Sequence, residues 1–110
     1  KPPQSRQQIT RMKNVLTYIR NNYGEPITLD ELAAVAGMSP RYFCRAFAAL
    51  TGRTPIAYLN YYRIECACER LTLTDKSVTE IAFACGFNDM SYFSRVFKQL
   101  KGTTPTAYRN

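Results

Sequence analysis

Residues 37–60 read Gly-Met-Ser-Pro-Arg-Tyr-Phe-Cys-Arg-Ala-Phe-Ala-Ala-Leu-Thr-Gly-Arg-Thr-Pro-Ile-Ala-Tyr-Leu-Asn, and residues 86–110 restate that stretch with one residue added near the start. At an offset of fifty, Tyr42-Phe43, Arg45, Phe47, Leu50, Gly52, Thr54-Pro55, Ala57-Tyr58 and Asn60 recur as Tyr92-Phe93, Arg95, Phe97, Leu100, Gly102, Thr104-Pro105, Ala107-Tyr108 and Asn110. Self-similarity this dense means two copies of one supersecondary unit. Phe43, Ala46, Phe47, Leu50 and, in the second copy, Phe93, Val96, Phe97, Leu100 fall at i, i+3, i+4, i+7, the spacing of one apolar helix stripe. The opposite face carries Arg41, Cys44 and Arg45 in the first copy and Ser91, Ser94 and Arg95 in the second.

Immediately before each stripe lies a shorter helical pattern. Thr28-Leu-Asp-Glu31 and Ser77-Val-Thr-Glu80 have the form of capping boxes, and Leu29, Leu32, Ala33, Ala36 match Val78, Ile81, Ala82, Cys85 at an offset of forty-nine. Gly37 and Gly86 suit the reversal that follows, where positive φ is needed. Ser39-Pro40 and Asn88-Asp89 then supply the start chemistry of the next helix. Helix, glycine turn, helix is the pattern of a helix-turn-helix, whose second helix enters the DNA major groove.

Between the copies, Thr54-Pro55 opens a helix extending to about Leu73, with Ile56, Leu59, Ile64, Ala67 and Leu71 among its apolar positions. Nineteen residues at 1.5 Å each give a length of roughly 28 Å, comparable to one turn of duplex DNA at roughly 34 Å. Ahead of the first copy, Ser5-Arg-Gln-Gln8 resembles a capping box, and Ile9, Met12, Leu16, Ile19 and Tyr23 follow at helical intervals, with Gly24 expected as a left-handed stop. The polar joint Thr72–Ser77 leads into the second copy, and Thr104-Pro105 opens a final short helix. The organisation expected is a linker remnant at 1–5, a first subdomain at 6–54, a connecting helix at 55–73 and a second subdomain at 74–110.

Fifteen basic residues, ten of them arginine, against eight acidic give a net charge of +7 over 110 residues, which favours an anionic partner. Hydrophobic content of 45% suits a folded chain. No apolar run reaches the roughly 18 residues needed to cross a bilayer, so a cytoplasmic protein with no membrane partner is expected. Cys44, Cys66, Cys68 and Cys85 are read as reduced small residues. Cys66 and Cys68 are two apart on a helix and diverge, and there is no histidine to complete a metal site. Without a glycine-rich phosphate loop, a paired acid cleft or a base beside any cysteine, neither an enzyme nor a bound cofactor is expected.

Several stretches together resemble the DNA-binding domain of AraC/XylS-type bacterial transcription regulators. They are Ile-Thr-Leu-Asp-Glu-Leu-Ala at 27–33, Gly-Met-Ser-Pro-Arg-Tyr-Phe-Cys-Arg-Ala-Phe at 37–47, and Arg63-Ile-x-x-Ala67-x-x-x-Leu71. Ser-Val-Thr-Glu-Ile-Ala-Phe-Ala-Cys-Gly-Phe at 77–87, Tyr-Phe-Ser-Arg-Val-Phe-Lys at 92–98 and Gly-Thr-Thr-Pro at 102–105 complete the set. The resemblance covers about residues 8–110. It implies an all-α, seven-helix domain of two helix-turn-helix subdomains joined by a long central helix, with recognition helices near 40–50 and 90–100 in successive major-groove segments. It also implies RNA polymerase as a partner and an effector-binding or dimerisation domain outside this chain. Two departures stand out: Arg70 replaces a common leucine, and Cys44 occupies a position that often holds a polar base reader.

The residues expected to meet base edges are Pro40, Arg41, Cys44 and Arg45 in the first copy and Met90, Ser91, Ser94 and Arg95 in the second. An arginine reads guanine O6 and N7, whereas Pro40, Cys44 or Met90 would touch a thymine methyl; Cys44 packing inward and Met90 as a plain surface side chain are equal alternatives. Those expected at phosphates are Tyr42, Arg53, Thr54, Lys76, Tyr92, Lys98, Lys101 and Thr104, since helix starts and cations both attract anions. Tyr42 and Tyr92 are expected to bury most of each ring. Arg63 is expected to pair with Asp30 or Glu31. A helical module that binds an acidic protein partner is the competing reading of the same basic faces.

Overall fold

The computed structural model describes residues 6–110. The linker expected at 1–5, and the Ser5 cap with it, lie outside the described residues. Among them are seven α-helices and no strand: α1 (Arg6–Asn22), α2 (Leu29–Ala36), α3 (Pro40–Thr51), α4 (Pro55–Leu73), α5 (Val78–Ala84), α6 (Met90–Lys101) and α7 (Pro105–Arg109). None of these helices is long and apolar enough to cross a membrane. The chain forms two compact units, one of residues 6–22 and Ile27–Tyr58, the other of Tyr23–Pro26 and Leu59–Asn110.

In the first unit α1 packs on α2 and α2 on α3. Met12, Val15 and Ile19 of α1, Leu32, Ala33 and Ala36 of α2, and Phe43 and Phe47 of α3 are buried. Val15 takes the place expected for Leu16, which is half-buried, and Ile9 is exposed. Thr28 forms the expected capping box with Glu31, satisfying an otherwise orphan N–H at each side of the turn. At the other end of α2, Gly37 adopts φ 68°, and the N–H groups of Gly37 and Met38 reach the carbonyls of Ala34 and Ala33, a Schellman closure.

The second unit repeats this chemistry. Ser77 and Glu80 form the capping box of α5, and Gly86 and Phe87 donate to Phe83 and Ala82. Phe87 turns into a core of Ile64, Ala67, Cys68 and Leu71 from α4, Ile81, Ala82 and Cys85, and Phe93, Val96 and Phe97 from α6. The aromatic ladders match as well. Phe43 and Phe47 lie 5.6 Å apart and Phe47 meets Tyr58 edge-on at 5.7 Å, while Phe93–Phe97 and Phe97–Tyr108 measure 5.7 and 5.5 Å. Each recognition-type helix is thus held by the same two phenylalanines and by the tyrosine of the helix that follows it. The far end of the expected stripe is not core: Leu50 and Leu100 are 45% and 40% exposed, because no helix covers that last turn.

Two expectations need correction here. Gly24 is not among the glycines of positive φ; a side chain there would meet the Ala84 carbonyl at 3.0 Å, so space is its constraint. Arg63 finds no carboxylate. It is buried, donates from Nε to the Tyr23 carbonyl at 2.8 Å and from a terminal nitrogen to the Glu25 carbonyl at 2.9 Å, and lies 5.9 Å from the Phe87 ring centre. Glu31 is occupied by Thr28 and by the Tyr18 hydroxyl at 2.9 Å, and Asp30 is exposed to solvent. Burial pulls the Arg63 pKa down, and two carbonyl acceptors offset part of that cost. Arg70, which stands where leucine is the common choice, is half-buried. Its guanidinium reaches the Tyr23 hydroxyl at 2.8 Å and Cys85 Sγ at 3.3 Å, with the Tyr23 ring 5.8 Å away. Arg63 and Arg70 together fasten Tyr23–Pro26 into the second unit.

Candidate nucleic-acid interface

Each polar face expected from the sequence is carried by the second helix of a two-helix unit. Ser39 caps α3 by accepting the Tyr42 N–H at 3.3 Å, with Pro40 in the first turn. Asp89 caps α6 by accepting the N–H groups of Ser91 and Tyr92 at 2.9 and 3.2 Å. These caps fix where each helix begins, and the buried phenylalanines fix its rotation. Side chains two positions from a buried phenylalanine on a helix are turned about 200° away from it, which puts Arg41 and Arg45 opposite Phe43 and Phe47.

The structure leaves Pro40, Arg41 and Arg45 exposed, with Cys44 half-buried between them. On α6, Ser91, Ser94 and Arg95 are exposed. Met90 is half-buried against the second unit's core, so it is not a plain surface methionine. The Arg95 guanidinium stands over the Tyr92 ring, 5.4 Å from the centroid. Tyr42 and Tyr92 are 44% and 37% exposed, so each is more than half covered, with the remainder open to solvent. They sit at the rim of the stripe, where the core helices stop short of them.

Of the residues expected at phosphates, Arg53, Thr54, Lys76, Lys98 and Thr104 are exposed. The Thr54 and Thr104 hydroxyls accept the N–H groups of Ala57 and Ala107 at 3.2 and 3.1 Å, which caps α4 and α7. Proline follows each threonine, so each of these helix starts has one N–H fewer to offer an anion. Lys101 has a protein partner. It forms an ion pair with Glu65 in which both side chains are part-exposed, and that hydrogen bond raises its pKa. Two side chains that the sequence reading passed over also touch this face. Gln8 Nε2 donates to the Tyr42 hydroxyl, and Asn60 Nδ2 donates to the Tyr92 hydroxyl at 2.7 Å. Nothing in the local pattern marks them, because each lies more than thirty residues from its tyrosine.

The helix-turn-helix domain family matches residues 32–110. The chain is 37% identical over 82 residues to the HTH-type transcriptional activator RhaS of Klebsiella pneumoniae (strain 342), covering 74% of this chain and 30% of that one. Among solved structures, the AraC-type transcriptional regulator from Chromobacterium violaceum superposes with TM-score 0.84 at 29% identity, over 92% of this chain and 90% of that one. The chain belongs to the AraC-type helix-turn-helix family. Another similar structure, the DNA-binding domain of the global transcriptional factor AdpA in complex with a target DNA, gives TM-score 0.86 and 34% identity over 90% of this chain and 89% of that one. The two polar faces described above lie on the second helices of the two helix-turn-helix subdomains. The chain spans less than a third of the length of the curated relatives it matches, 24–30%.

Proposed function

We propose that this chain is the sequence-reading domain of a bacterial transcription regulator, binding double-stranded DNA with α3 and α6 in successive major-groove segments. The observation that carries the reading is the repetition itself. Two capped helices, each rotated by a buried phenylalanine pair, expose an arginine at the same register, Arg45 and Arg95. Base edges fall to Arg41, Arg45, Ser91, Ser94 and Arg95, with Pro40, Cys44 and Met90 as apolar neighbours. Lys76, Lys98, Arg53, the two threonine-capped helix starts and the tyrosine hydroxyls take phosphates. A net charge of +7 adds the sequence-independent attraction. The greater length of the relatives supports an effector-binding or dimerising domain beyond this chain, and the proposal includes RNA polymerase as the partner and the cytoplasm as the location.

Selection of bound duplexes from a random library tests this directly. A shared motif with two clusters of fixed bases is the expected result. Arg95→Ala then loses about 5- to 150-fold on the selected duplex, the equivalent of one bidentate guanine contact at about 1–3 kcal/mol, and far less on random DNA. No selected motif, or an equal loss on all sequences, refutes it.

A further inference from the structure

The two amides that reach the exposed tyrosines occupy equivalent places. Gln8 belongs to α1 and Asn60 to α4, and each of those helices is the one that runs ahead of a two-helix unit. Each donates to the tyrosine at the third position of the recognition helix, Tyr42 on α3 and Tyr92 on α6. Each tyrosine is more than a third exposed, and Tyr92 packs in part on the Phe87 ring at 6.1 Å, so a hydrogen bond from a separate helix adds to what fixes the direction of the ring. In the second unit that ring has a further contact, the Arg95 guanidinium at 5.4 Å. Among the described residues no such contact joins Arg45 to Tyr42. A flexible arginine loses rotamer freedom when it docks on a base, and a ring that already holds its guanidinium removes part of that loss beforehand.

The geometry points to Asn60 and Tyr92 as positioning residues for Arg95: Asn60 sets the Tyr92 ring, and the ring sets the guanidinium for base reading. This rests on the DNA-reading proposal and deepens it, since it makes discrimination at one base pair depend on an amide that touches neither base nor phosphate. It also makes the two reading helices unequal, with the α6 arginine presented in a preset pose and the α3 arginine not.

The test uses the duplex selected by the wild-type chain and a second duplex substituted at the base pair where Arg95→Ala abolishes discrimination. The ratio of the two Kd values is measured for wild type, Asn60→Ala, Tyr92→Phe, Tyr92→Leu, and Asn60→Ala combined with Arg95→Ala, each with a thermal melt. Asn60→Ala and Tyr92→Phe should each lower the ratio about 2- to 5-fold, the scale of an exposed cation–π contact, and Tyr92→Leu at least as much. The salt slope should stay unchanged, because no charge is lost, and any affinity that the Tyr92 variants lose with the hydroxyl's phosphate contact is common to both duplexes and cancels in the ratio. On the Arg95→Ala background, Asn60→Ala should change the ratio no further. Should Asn60→Ala fail to fold, Tyr92→Phe, which keeps the ring and removes only the hydroxyl, decides the matter. A wild-type ratio in these variants, or an equal loss of affinity for both duplexes, overturns the positioning role while leaving DNA reading intact. A wild-type chain that selects no sequence overturns both.

Discussion

Replacing Gly86 with alanine probes the joint on which the second unit turns. Gly86 has φ 96°, and a Cβ placed there would lie 2.2 Å from the Tyr23 carbonyl oxygen and 2.7 Å from Arg63 Nε. An L-residue at positive φ costs about 1–2 kcal/mol from its own backbone. The carbonyl cannot retreat alone, because it accepts the 2.8 Å bond from Arg63. Disrupting that charge-assisted bond costs about 1.5–3 kcal/mol more. The sum, about 2.5–5 kcal/mol, is a large part of the about 5–15 kcal/mol that holds a typical domain together. Gly102→Ala is the control within the same unit, since Gly102 has φ 74° and nothing within 4 Å of its would-be Cβ, leaving backbone strain alone. Urea unfolding followed by far-ultraviolet circular dichroism measures both. With about 4–8 °C of Tm per kcal/mol in a domain of this size, Gly86→Ala should lower Tm by at least about 10 °C. A loss within about 0.5 kcal/mol of that for Gly102→Ala would refute the idea that close approach, and not φ alone, selects glycine at 86.

Arg63→Met should destabilise by about 1–3 kcal/mol for each carbonyl left without its donor, and Arg63→Lys should recover only part, because one ammonium cannot reproduce the fork to Tyr23 and Glu25; wild-type stability for the methionine variant in urea would reject this. Lys98→Ala should reduce the slope of log K against log salt by about 0.9, whereas Lys101→Met should leave it unchanged because its ammonium is paired with Glu65, and equal slopes for both would reject the distinction. Glu31 is held below the usual carboxylate range chiefly by the Tyr18 hydroxyl and the Thr28 N–H, and Glu80 by the Ser77 N–H. A depressed folded pKa gives stability that is present above the ordinary carboxylate pKa and is lost as pH falls through the folded value. The Glu31→Gln, Glu80→Gln double variant keeps both capping boxes but should show a flatter Tm profile on acidification, and an unchanged profile would count against the two carboxylates as its source.

The chain's local chemistry was legible without coordinates wherever neighbours along the sequence decide the outcome. Helix starts at Thr28, Ser39, Thr54, Ser77, Asp89 and Thr104 follow from short-range hydrogen bonds between a side chain and an amide two or three residues on. The phenylalanine stripe and the exposure of Arg45 and Arg95 follow from helical periodicity. Tertiary structure decided what the longer side chains do. Arg63 took loop carbonyls in place of an acid, Lys101 the part-exposed Glu65 carboxylate, and Arg70 a tyrosine where leucine was the common residue. Asn60 and Gln8 acquired tyrosine partners from beyond thirty residues away. A capping serine has a single partner within reach, fixed by backbone geometry. A guanidinium or an amide on a flexible stem has many, and only the packing of the helices determines which one it meets.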